Sequence, residues 1–214
     1  MPEALSIAFV ESSPTHARLL EVAAALFAER GYGGTSMADI AEGVGVRKAS
    51  LYNYYDSKGD LLMDLLRRGL EGGPDSTILA TLEGDAPHGK RLHDYFLAAV
   101  RFASEQPALV AIFRVAATQL QGDLGERAEA VVCDHRERQR QRLAEFFADA
   151  VKARAVAAAD PDDLSYVFRM FLNGVLIGHV GGCHIDESLA EERLERVWEI
   201  FWNGLASRAV GEGA

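Results

Sequence analysis

The chain has 214 residues, of which 49% are hydrophobic and 25% charged, so it can build a packed core and is not a disordered chain. Its formal net charge of -10 excludes a protein that holds nucleic acid through overall charge; a surface for such a partner must collect its cations locally. Two cysteines, Cys133 and Cys183, exclude a disulfide scaffold and fit a reducing compartment.

No stretch reaches the roughly 18–20 apolar residues that span a bilayer. The short apolar run 5–10 has no basic residue before it and is flanked by Glu3 and Glu11, so no secretory signal and a cytoplasmic location are expected. Residues 1–13 read as a tail. Beyond them nearly every periodic segment has helical spacing, and no alternating run of strand length occurs. The predicted class is all-α, with about nine helices.

The first helix starts at Pro14, where a proline costs no hydrogen bond, with Ser13 as its cap. Leu19, Leu20, Ala23, Leu26 and Phe27 form its apolar face, and Gly31 stops it. The second starts after Ser36, with Asp39 three residues on as the other half of a capping box. Gly43-Val44-Gly45 breaks it. A third is predicted over about residues 47–55. Two short helices joined by a glycine-containing turn read as a helix-turn-helix. The fourth starts near Ser57, carries Leu61, Leu62, Leu65, Leu66 and Leu70, and is interrupted at Gly72-Gly73-Pro74. Residues 75–89 hold at most a turn or two. Five more helices are predicted over about residues 90–105, 107–119, 126–154, 161–180 and 188–208; Asp160-Pro161 opens the fourth of these as a cap followed by proline.

The segment 31–62, GYGGTSMADIAEGVGVRKASLYNYYDSKGDLL, resembles the DNA-binding domain of the TetR family of one-component transcriptional regulators. The matching parts are Gly31-Tyr32, Thr35-Ser36, Asp39-Ile40-Ala41, Gly45-Val46, Leu51-Tyr52 and Ser57-Lys58, in register without a gap. Several spaced motifs agreeing together are more specific than a lone helix-turn-helix pattern. The resemblance implies a helix-turn-helix domain over 14–60 and a helical effector-binding and dimerisation domain over 61–214. It places Lys48, Ala49 and Tyr52 towards bases, and Ser36, Ser50, Asn53, Tyr54 and Lys58 towards phosphates. Arg47 stands where a small capping residue is usual; arginine cannot cap through oxygen, so it is expected to reach the DNA. A lysine can meet guanine O6 or N7, and an alanine methyl a thymine methyl, in a major groove about 12 Å wide. Each residue also has a plainer reading: Tyr52 and Tyr55 as core aromatics, Arg47-Lys48 as a solvated face. Residues 1–74 hold seven Lys/Arg against ten Asp/Glu. One copy would therefore bind weakly, and two linked copies would gain through effective concentration.

The eighth and ninth helices carry more large apolar residues than one core-facing side needs. With the family's paired last helices in view, Phe168, Phe171, Val175, Leu194, Trp198, Phe201, Trp202 and Leu205 are expected at a homodimer interface, the alternative being core. An effector pocket among helices five to eight is implied by the resemblance. Its candidate lining is Phe96, Val100, Phe113, Ala117, Phe147, Met170 and Asn173, with His93 and Arg114 as polar anchors, and its apolar balance favours a small lipophilic effector. The alternating arginines Arg136, Arg138, Arg140 and Arg142 fall on different sides of a helix and read as solvated surface. Cys133-x-His135 and His179-x-x-x-Cys183-His184 contain zinc-type ligands, but no CxxC pair accompanies them, and no metal or cofactor is expected. No glycine-rich phosphate loop, nucleophile elbow or HExxH occurs, so no enzyme is expected. The expected function is a homodimeric repressor released from a pseudo-palindromic operator by its effector. The alternative is a helical protein-interaction module that keeps the helix-turn-helix as scaffold.

Overall fold

The computed structural model describes residues 13–70, 78–180 and 187–206. Most of the tail, Gly72-Gly73-Pro74, Gly181-Gly182, Cys183 and His184 lie outside the described residues, as does the side chain of His179. The described chain is all-α, with nine helices and no strand: α1 (Pro14–Arg30), α2 (Met37–Val44), α3 (Lys48–Leu51), α4 (Lys58–Leu70), α5 (His88–Glu105), α6 (Pro107–Gln119), α7 (Gly122–Lys152), α8 (Pro161–Val180) and α9 (Glu187–Ala206). Among the described residues ahead of α5, Leu79–Leu82 form a 3-10 turn. No single described helix is long and apolar enough to cross a membrane.

Local chemistry places the helix ends. Ser13 Oγ accepts from His16 N at 3.3 Å with Pro14 in the first turn, and Asp160 Oδ1 accepts from Asp162 N at 2.8 Å ahead of α8. At the C-terminus of α7 the amide of Ala155 donates to Ala150 O and that of Arg154 to Val151 O. This closing turn puts Arg154 at φ 56, a left-handed position that glycine usually fills.

The chain forms two compact units, each made of two segments. Their division does not follow a boundary near residue 60: the first takes residues 1–76 and 105–135, the second 77–104 and 136–214. In the first, α1 buries Leu19, Leu20, Ala23, Ala24 and Phe27. Met37, Ile40 and Ala41 of α2, Leu51 of α3, and Leu61, Leu62, Leu65 and Leu66 of α4 are buried in the same unit. So are Leu109, Ile112 and Val115 of α6, and Gly69 of α4 lies so near Phe113 that a Cβ there would stand 3.3 Å from its ring.

The second unit has an aromatic core. Phe96, Phe147 and Phe168 are fully buried, with Tyr95, Phe146, Leu143, Leu164, Leu172 and Trp198 around them. Phe171 and Phe201 stack with ring centroids 4.1 Å apart, which fixes α8 against α9. On the surface of this unit Arg140 pairs with Glu137 and Asp162, and Arg142 with Glu83, so these two arginines are neutralised by neighbours.

Candidate DNA-binding surface

The turn before α2 is set by hydrogen bonds from both sides. Ser36 Oγ accepts from Asp39 N at 3.2 Å, while Ser36 N donates to Asp39 Oδ2 at 2.8 Å, the two halves of a capping box. These bonds hold the Asp39 carboxyl below its ordinary range, the Ser36 hydroxyl contributing most. The hydroxyl proton of Ser36 goes to Asp39 Oδ2 at 2.6 Å. Ser36 was expected to face phosphate, but its one donor is already engaged in the cap.

Lys58 differs in the same way. Its Nζ donates to Tyr32 O at 2.6 Å and Thr35 O at 2.7 Å, and it lies 4.1 Å from the centre of the Tyr32 ring. Two of its three donors are spent on these backbone carbonyls; Tyr32 O also accepts from Thr35 N at 3.4 Å. Burial lowers the pKa of this amine, with Asp39 opposing the shift. In this structure the side chain braces the α1–α2 turn. Gln119 completes the brace, its Oε1 accepting from Tyr32 N at 3.0 Å.

Gly45 ends α2 at φ 79, its amide bonded to Ala41 O and Glu42 O. Arg47 then precedes α3 in extended conformation and makes no side-chain cap. The predicted third helix is longer than the observed four residues. After Leu51 the amides of Asn53 and Tyr54 reach back three residues, to Ser50 O at 3.4 Å and Leu51 O at 3.0 Å, which tightens the chain into a turn, while Tyr55 N still donates to Leu51 O at 3.1 Å. The side chain of Tyr55 holds the end of this turn. Its hydroxyl is drawn to Asp64 Oδ2 at 2.5 Å and lies 2.7 Å from His16 Nε2. Burial first, then the Asp64 hydrogen bond, push this phenol well above its ordinary pKa.

The outward side of α3 and the turn after it carries the other expected residues. Arg47, Lys48, Ala49 and Asn53 are exposed and Ser50 is half-buried. Tyr52 is 46% exposed and Tyr54 41%, so neither belongs to the core, whereas Tyr55, read as a core aromatic, is half-buried. Lys48 Nζ lies 6.0 Å from the Tyr52 ring, a loose cation–π contact that keeps the pair on one surface. This surface offers two cations, two phenols and an amide, all suited to phosphate oxygens and base edges. Sequence reasoning missed His16, Asp64, Arg68 and Gln119. Only the four-residue spacing of Asp64 and Arg68 signalled a pair; the other contacts join residues far apart in the chain.

The remaining expected residues divide. Phe96, Val100 and Phe147 are core packing of the second unit, while Met170 and Asn173 are exposed on α8. His93 lies against Trp198 and Phe96, with Nε2 3.1 Å from a Glu195 carboxylate oxygen. In the first unit Phe113 is half-buried, and Arg114 and Ala117 are exposed. Of the residues expected at a dimer interface, Phe168 and Trp198 are core, 0% and 6% exposed. Phe171, Val175, Leu194, Phe201, Trp202 and Leu205 are half-buried and pack on that core. Phe168 and Trp198 thus keep little surface for a partner. Both sides of α8 are apolar, and the aromatic side turned inward because it buries more area. The outward side shows Val167, Met170 and Ile177, with Ile200 on α9. Cys133 is exposed and His135 buried, so α7 turns them to different sides.

An α-helical unit whose second short helix presents polar side chains beyond a capped first one is of the helix-turn-helix class. Residues 19–65 match the family described as "Bacterial regulatory proteins, tetR family". Over 102 residues the chain is 35% identical to the HTH-type transcriptional repressor KstR2 of Mycobacterium tuberculosis, covering 48% of this chain and 50% of that protein. It is 32% identical over 108 residues to the repressor DhaR of Mycobacterium sp. strain GP1, 48% of this chain and 52% of DhaR. The match thus spans about half the length of these relatives. The fold extends further: the solved structure of KstR2 superposes over 91% of this chain and 96% of its own, with a TM-score of 0.73 and 24% identity. AibR, solved with isovaleryl coenzyme A and operator DNA, covers 89% of this chain and 97% of its own, at a TM-score of 0.66 and 24% identity.

Proposed function

We propose that the chain is a ligand-responsive transcriptional repressor that binds a pseudo-palindromic operator as a homodimer. The observation that carries this reading is the surface of α3. Arg47 and Lys48 are exposed with no ion pair among the described residues, and Tyr52 and Asn53 are exposed while Leu51 of α3 is buried. Lys48, Ala49 and Tyr52 read bases; Arg47, Ser50, Asn53 and Tyr54 hold phosphates and set the register. Ser36 and Lys58 act behind them, keeping the turn in shape. Two such helices dock in successive major grooves about 34–36 Å apart.

The second copy supplies affinity that one acidic chain lacks. The pairing face is the outward apolar side of α8 and α9, with Val167, Met170, Ile177 and Ile200 as its large residues. A Cβ at Gly174, Gly178 or Gly204 would meet nothing within 4 Å, so a second chain can approach closely there. The effector is a lipophilic molecule that favours a dimer state with the wrong groove spacing. It shifts the equilibrium only by its difference in affinity between the two states. The ligand named for AibR makes short acyl thioesters of coenzyme A the first class to screen.

The test is fluorescence anisotropy on the DNA upstream of the protein's own gene, with excess non-specific competitor, titrated over salt. Saturable binding that survives competitor and is released by an acyl thioester supports the reading. Binding that competitor erases counts against it.

A further inference from the structure

We infer that His16, on α1, is a positioning residue for operator binding: its ring holds Tyr54 in place and, through Tyr55, ties the end of the recognition helix to α4. The inference rests on the proposed DNA-binding reading and adds a residue that touches no DNA.

The direction of the hydrogen bonds can be worked out. Asp64 Oδ2 accepts from Arg68 Nε at 2.8 Å and from the Tyr55 hydroxyl at 2.5 Å. The single proton of Tyr55 therefore goes to Asp64. The Tyr55 oxygen is left to accept, so His16 donates to it from Nε2 at 2.7 Å. The resulting chain runs from α1 through the turn after α3 into α4. Burial and the Arg68 cation keep the imidazole neutral, against the pull of Asp64. A neutral ring with its proton on Nε2 fits this arrangement.

The same ring faces Tyr54. The two planes differ by 6° with centroids 5.1 Å apart, while Tyr55 is tilted by 40° at 5.6 Å. Consecutive tyrosines thus share one histidine, which stacks on the first and bonds the second. α3 has four residues and no side-chain cap, too little helix to hold its own shape. Its anchors are Leu51, 1% exposed, and this polar chain. Tyr54 stays 41% exposed, so stacking orders it without hiding it. A phenol already ordered loses less freedom on meeting a phosphate, an advantage of about 3- to 10-fold per copy. In a dimer the effect appears twice, roughly 10- to 100-fold in operator affinity.

The test compares wild type, His16→Ala, Tyr54→Ala and the double variant on one operator duplex, with thermal unfolding recorded for each. The expected result is a loss of about 10- to 100-fold for His16→Ala, an unchanged salt slope because no phosphate contact is removed, and little further loss in the double variant. His16→Phe keeps the stack without the donor, and it is expected to retain part of the affinity if His16→Ala unfolds. Affinity within twofold of wild type for His16→Ala, or fully additive losses, overturns the inference. Proton and nitrogen NMR of the DNA-free chain separates this from failure of the DNA-binding reading. The His16 ring shifts are expected to move in Tyr54→Ala, and the Nε2 signal in Tyr55→Phe. If wild type binds no operator while both shifts move, the DNA-binding reading has failed and the ordering of Tyr54 stands. If neither moves, the inference has failed whatever the DNA result.

Discussion

Replacing Ile177 and Ile200 together by serine separates pairing from folding. Ile177 is 75% exposed and Ile200 74%, so each protomer leaves about three-quarters of both side chains in water. Full burial of an isoleucine contributes about 1.5–3 kcal/mol, so covering what remains contributes roughly 1–2 kcal/mol per side chain. Two-fold symmetry brings four such side chains into one interface, about 4–8 kcal/mol as an upper bound. Even the lower figure raises the dimer dissociation constant about a thousandfold. The folded chain hides little of either residue, so its unfolding midpoint at fixed monomer state moves by less than about 0.5 kcal/mol in equivalent stability. Sedimentation velocity over a concentration series measures the first effect and urea unfolding of the monomeric variant the second. Phe168→Ala is the reciprocal control, expected to cost about 3–5 kcal/mol of stability because the ring is fully buried. A double serine variant that dimerises like wild type refutes this pairing face. So does one that fails to fold.

Three further outcomes are expected. Arg154→Gly relieves a left-handed residue at the end of α7 and should raise stability by about 0.5–1 kcal/mol in urea unfolding; a loss would mean that the Arg154 side chain contributes more than its backbone costs. Ser36→Ala removes the cap of α2 and should lower stability by about 1 kcal/mol, read as a lower melting temperature. His16 has its pKa lowered in the folded chain, so the unfolded chain binds the extra proton first. Stability should therefore fall as pH drops from about 6.5 through the folded value and level off below it, and His16→Phe should flatten that slope. An identical slope in the variant would show that another group sets it.

Helix ends were legible in the sequence because their chemistry is local. Ser13 with Pro14, Ser36 with Asp39, and Asp160 with Pro161 each act within a turn, and the structure has each of them capping as read. The inward side of α8 was not legible. Phe168 and Phe171 compete with Val167, Met170 and Ile177 on a helix apolar nearly all round, and periodicity cannot choose between two apolar sides. The length of α3 was hidden for another reason. The turn that follows it ends at Tyr55, which is held by His16 and Asp64, 39 and 9 positions away. Lys58 and Ser36 show the same limit within the DNA-binding surface: residue type offered phosphate donors, and the fold engages the Ser36 hydroxyl and two of the three Lys58 protons. The exposed set from Arg47 to Tyr54 was readable because a short helix with one buried residue leaves the others outside.

The central claim is that the outward surface of α3 reads an operator. The most direct measurement selects duplexes from random DNA with the wild-type protein, then titrates the best of them with wild type and with Lys48→Ala/Tyr52→Ala. The account predicts a pseudo-palindrome whose half-sites lie about one helical turn apart, bound at two or more protomers per duplex in the presence of competitor. It also predicts that the double variant, still dimeric, loses at least about tenfold on that duplex while keeping weak non-specific binding. Selection that yields no common sequence, or a double variant that binds the selected duplex as wild type does, would contradict it.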